Sequence, residues 1–76
     1  MNISVGEIIE LNEGREFICF AKTTVDGKVY IWLVSNFKPV EVSFARILDE
    51  EDKIELIGNQ EEKEKIFQAF RQQGLL

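Results

Sequence analysis

Histidine is absent from this chain, and with it go the commonest general base and the commonest zinc ligand. His-based catalytic triads and His-containing metal sites are therefore excluded, which removes most hydrolase chemistry. The single cysteine, Cys19, has no partner for an internal disulfide, whereas a secreted chain of 76 residues usually needs several. That usage fits a reducing cytoplasm. The five glycines, Gly6, Gly14, Gly27, Gly58 and Gly74, are isolated from one another, so no phosphate-cradling loop is present. No run approaches the ~20 apolar residues that span a bilayer. The opening MNISVGEII has neither a basic n-region nor an apolar h-region. Neither export nor membrane insertion is expected.

Basic residues are also few. Nine Lys and Arg stand against fourteen Asp and Glu, a net charge of -5, and a phosphate-binding surface needs clustered cations. Nucleic acid is thus not an expected partner. The imbalance lies in the last third: Asp49 to Leu76 carries eight acids and four bases, against six and five before it. Mild acidity of this kind keeps small domains soluble. What the chain does have is core-forming material. With 45% hydrophobic residues and six Phe it is too apolar for intrinsic disorder. It is long enough for one compact domain, residues 1-76, that buries about 60–65% of the surface exposed on unfolding.

Turn signals divide the chain into strands. Asn12-Glu13-Gly14 offers Asn to open a turn and Gly to take a positive φ, between a strand over Gly6 to Leu11 and another over Glu16 to Thr24. Asp26-Gly27 is a stronger hairpin signal and leads into a third strand, Lys28 to Ser35. A two-residue loop there pairs Val25 with Lys28, Thr23 with Tyr30, Ala21 with Trp32 and Cys19 with Val34. Phe17, Cys19, Ala21, Tyr30, Trp32 and Val34 then share one face, and Ile18, Phe20, Lys22, Val29, Ile31 and Leu33 the other. With both faces apolar, this hairpin belongs in the middle of a sheet. Pro39 breaks the pattern in SNFKPV, and alternation resumes through VEVSFARIL as a fourth strand. Asp49 to Asp52 is a solvated turn, and KIELI a short fifth strand.

The end is helical. Asn59 with Glu62 three residues on forms a capping box, and Glu61 with Lys65 a favourable i,i+4 pair. Ile66, Phe67 and Phe70 make a narrow apolar stripe, and Gly74 is a C-terminal stop. The predicted fold class is α+β: an antiparallel sheet of four or five strands with one C-terminal helix packed on one face, covering Phe17, Cys19, Ala21, Tyr30, Trp32 and Val34.

Candidates for chemistry are sparse. Cys19 lies mid-strand among apolar residues, where a thiol behaves as a small hydrophobe. Four adjacent acids at Asp49 to Asp52 lack the spaced ligands and central Gly of a calcium loop. Tyr30 and Trp32 could stack unpaired bases, but sheets that do so surround their aromatics with cations; large aromatics in a small domain are ordinarily core. No catalytic, cofactor-binding or metal-ligating residue is assigned, no cofactor is expected, and no small-molecule substrate is inferred.

The succession EIIELNEGREF, VDGKVYIWLV, EVSFARIL, an acidic turn and EKEKIFQAF resembles the YrzB-like family of small bacterial proteins of unknown function. The matching positions are Gly14, Phe17, Asp26-Gly27 with Tyr30 three residues later, and Phe70. The first turn here is less acidic than the family pattern and the SNFKPV connection longer. The resemblance implies the same fold and a bacterial, cytoplasmic setting, and it brings no activity, cofactor or site residue.

One helix covers only one sheet face, and an apolar second face would exceed what a monomer normally exposes. The expectation is a non-enzymatic protein-protein interaction module, with a protein partner or a homodimer on a surface made of Ile18, Phe20, Ile31 and Leu33. The alternative is an acidic mimic of nucleic acid that inhibits a basic protein through Asp49, Glu50, Glu51, Asp52, Glu55, Glu61 and Glu64. A third reading, a single-stranded RNA binder, requires exposed Tyr30 and Trp32.

Overall fold

A computed structural model describes residues 2–11 and 14–74. Among these, five strands and one α-helix follow one another, with a 3-10 turn (Asp49–Glu51) between the last two strands: β1 (Ile8–Leu11), β2 (Arg15–Val25), β3 (Lys28–Ser35), β4 (Val42–Leu48), β5 (Lys53–Leu56) and α1 (Gln60–Gln72). The strands pair antiparallel in sequence order, so the sheet is a simple meander, and it is curled. The α+β class and the helix packed on one face are as the sequence predicts. Asn12 and Glu13 of the predicted first turn lie outside the described residues; Gly14 takes a φ of 78°.

The β2–β3 turn forms as expected. Asp26 and Gly27 both adopt positive φ, 52° and 77°, which is what a two-residue loop needs to match the twist of its strands. Val25 faces Lys28, Thr23 faces Tyr30 and Ala21 faces Trp32. Beyond Ala21 the register breaks. Cys19 pairs with Leu33 rather than Val34, and Ile18 takes Val34, because a bulge at Phe20 places one extra residue in β2. A bulged residue inverts the alternation beyond it. Phe17 and Cys19 therefore lie on the face opposite Ala21, Tyr30 and Trp32, which corrects the single face predicted for all of them.

The inner face of the curl holds Phe17, Cys19, Ile31, Leu33, Ala45 and Ile47, sealed by Ile3 from the N-terminal segment; Ile9, Leu11, Val29, Phe37 and Ile54 pack around them. Every strand contributes, so the sheet covers this face by curling on itself and no helix is required. Arg15 lies over the Phe17 and Phe37 rings at 5.7 and 5.1 Å and ion-pairs with Glu41. The outer face holds Ala21, Tyr30, Trp32 and Ile57 beneath Ile66 and Phe70 of α1.

The helix starts as its cap dictates: the Asn59 side chain accepts from the Glu62 backbone N–H at 2.9 Å. The reciprocal half of the capping box does not form. The Glu62 carboxylate instead accepts from the Tyr30 hydroxyl at 3.2 Å and lies 3.9 Å from Arg46, since the helix rests on the sheet with its first turn over these residues. Lys65 likewise leaves Glu61 and donates to Asp26 at 3.1 Å. Both side chains tie α1 to the sheet rather than to itself. The Lys38–Pro39 peptide in the β3–β4 connection is cis, and Ser35 braces that connection, accepting from the Glu41 N–H and donating to the Phe37 carbonyl.

Candidate protein interface

Tyr30 and Trp32 are 5% and 8% exposed, so they are core beneath α1 and not a stacking platform. Trp32 is the hub of an aromatic cluster, with ring centroids 5.2 Å from Phe20, 5.5 Å from Phe44, 5.5 Å from Phe70 and 6.3 Å from Phe67. Its indole N–H is buried and finds no hydrogen-bond partner among the described residues. The ring is held by packing alone.

The bulge dismantles the surface predicted from Ile18, Phe20, Ile31 and Leu33. Ile31 and Leu33 are 0% exposed and line the inner core. Ile18 and Phe20 lie on the outer face, Ile18 half-buried opposite Val34 and Phe20 half-exposed against Trp32. They are joined there by residues that sequence reasoning missed. Ile8 pairs with Ile18, Ile18 with Val34, and Val34 with Val42, giving an aliphatic row across four strands. Ile8 and Val42 are each 54% exposed and Phe20 50%. The signal available in the sequence is geometric: a helix of thirteen residues is about 20 Å long and cannot roof the whole outer face of a five-stranded sheet. Which residues stay uncovered depends on the bulge.

From end to end the outer face is ordered by chemistry. First comes an acidic pair, Glu10 opposite Glu16 on β1 and β2, with the Asn36 amide donating to Glu16. The aliphatic row Ile8, Ile18, Val34 and Val42 is next, and then the aromatics Phe20, Trp32, Phe44 and Phe67. A groove of about 260 Å³ lined by Phe44, Gln60, Lys63, Glu64 and Phe67 leads onto the helix. Lys63 and Arg71 stand one turn before and after Phe67 on the same flank of α1. A scan of protein-family models, a search of curated proteins and a search of solved structures each return no match.

Several other polar groups are engaged within the fold. Arg46 binds Glu55 and approaches Glu62; burial pulls its pKa down, but the Glu55 carboxylate, with Tyr30 and Glu62, outweighs this and the net direction is up. Burial pushes the Cys19 thiol pKa up as well; its Sγ donates to the Ala21 carbonyl, and the residue is fully buried in the inner core. The acids considered for nucleic-acid mimicry are partly neutralised: Glu55 by Arg46 and Glu51 by Lys53 at 3.7 Å. Among the described residues no three His, Cys, Asp or Glu side chains gather to hold a metal ion, and no helix is long and apolar enough to cross a membrane.

Proposed function

We propose that this protein is a non-enzymatic protein-protein interaction module, and that it docks through the uncovered end of the outer sheet face. The observation that carries this reading is the aliphatic row Ile8, Ile18, Val34 and Val42 beside Phe20, apolar side chains held in register on rigid strands and left open by the helix. A contiguous patch of this kind on a small domain is the signature of a contact surface. Arrangement on strands supports it further, because pre-organised anchors lose little entropy on binding. The bacterial, cytoplasmic setting implied by the resemblance to the YrzB-like family belongs to the same proposal.

A photo-crosslinking residue placed at Phe20 in living cells tests the surface directly. A discrete protein adduct is expected from that position and none from a control at Glu50, in the exposed acidic turn. Equal labelling at the two positions, or none at Phe20, overturns the reading. The acidic-mimic alternative predicts the reverse pattern, with adducts at Glu50 that disappear as salt rises.

A further inference from the structure

We infer that the occupant of this surface is a second copy of the same chain, related by a twofold axis through the middle of the strip, where the aliphatic row meets the aromatics. The inference rests on the docking reading above and adds the identity of the partner.

The order of chemistry along the face makes it complementary to itself. A twofold interface is isologous, so the patch must be its own complement when turned end for end. Read in one direction, the outer face runs acidic, aliphatic, aromatic, net basic: Glu10 and Glu16, then Ile8, Ile18, Val34 and Val42, then Phe20 and Phe67, then the helix flank, where Lys63 and Arg71 outnumber the one carboxylate, Glu64. Reversed, it runs basic, aromatic, aliphatic, acidic. Laid antiparallel on itself, the strip sets each copy's carboxylates against the other's helix cations, and apolar rows against apolar rows. A patch acidic at both ends would repel its own copy; this one is polarised and attracts it.

Two features within the monomer agree. Glu10 and Glu16 face each other directly across β1 and β2, where like charges are unfavourable; cations from a second copy relieve that repulsion. Lys63 and Arg71, like Lys22, Lys28 and Lys38, have no ion pair among the described residues, whereas Arg15, Arg46, Lys53 and Lys65 do, so both are available to a second copy. A standard interface takes about 800 Å² from each partner, roughly one-sixth of the 5114 Å² surface, and has an apolar core within a polar rim; the strip supplies apolar side chains for the one and its charged borders the other.

Sedimentation equilibrium on the full chain, with a charge-swap cycle, is the test. The 8.8 kDa chain is expected to sediment as a dimer at micromolar to millimolar concentration. Phe20→Asp is expected to make it monomeric while keeping its helical circular dichroism and a cooperative melt, because the side chain is half-exposed. Glu16→Lys and Arg71→Glu are each expected to weaken association about tenfold, and the double variant to recover most of the loss, as paired charges across an interface do. A monomer at all concentrations overturns the inference, and so does a dimer untouched by Phe20→Asp or by the charge swaps. The two readings fail separately. A monomer that still crosslinks from Phe20 to a different protein removes the homodimer and leaves the docking surface standing; absence of any adduct removes both.

Discussion

Glu62 shows how a single side chain chooses among partners. Its position three residues after Asn59 suits a return bond to the cap, yet its carboxylate bonds Tyr30 and neighbours Arg46, because a contact between helix and sheet is available once α1 is docked. The Tyr30 hydroxyl pKa is consequently raised, first by burial and then by the Glu62 charge. A group whose pKa is higher folded than unfolded contributes stability that is complete below the unfolded value, here 10.0, and lost as pH climbs through the folded one. Tyr30→Phe removes this dependence. At pH 8 the variant should be less stable than the parent by about 1–2 kcal/mol, the worth of a partly buried bond to a carboxylate. At pH 11 the gap should close, since the parent has by then lost much of that contribution. Urea titrations of both proteins at the two pH values measure it, and a gap that stays constant or widens contradicts the bond.

At the scale of elements the decisive feature is the bulge in β2. Between Cys19–Leu33 and Ala21–Trp32 the strand advances two residues while β3 advances one, so removing Phe20 leaves every remaining pair intact and the ladder regular. Deletion of Phe20 should therefore give a folded chain with a cooperative melt, weaker by the lost edge-on contact with Trp32, about 1 kcal/mol. Deletion of Leu33 from β3 offers no such repair and should unfold it. Far-UV circular dichroism and thermal melts of the two deletions decide the matter, and unfolding by loss of Phe20 would refute the bulge. The same feature marks the limit of what was legible. The strands to within two residues at each end, the Asp26-Gly27 turn, the Asn59 cap and the helix are written in local chemistry and follow from the residues alone. Phe17 to Ala21 is five apolar residues in succession, with no polar partner to show where alternation breaks. Inner and outer faces could not be told apart there, and two of the four residues expected on the docking surface, Ile31 and Leu33, are in the core instead.

For the molecule as a whole, the two apolar clusters differ in how they are covered. The inner one is enclosed by the sheet that carries it, whereas the outer one depends on one helix, anchored by Ile66 at 1% and Phe70 at 0% exposure. Phe70 packs on Trp32 and lies nearly parallel to Phe44, centroids 6.0 Å apart; Phe67, three residues earlier, is 37% exposed on the flank that faces the strip. The two phenylalanines thus separate folding from the proposed docking. Phe70→Asp loses the packing of a buried aromatic, about 3–5 kcal/mol, and buries a carboxylate with no partner designed for it. For a domain of this size that is most of a total stability of about 5 kcal/mol, so the melting transition should disappear or fall by tens of degrees. Phe67→Asp keeps both clusters closed and should melt within a few degrees of the parent, while weakening whatever the outer strip binds. A melting temperature unchanged by Phe70→Asp would detach the helix from the sheet, and with it the border that confines the apolar strip to one end of the outer face.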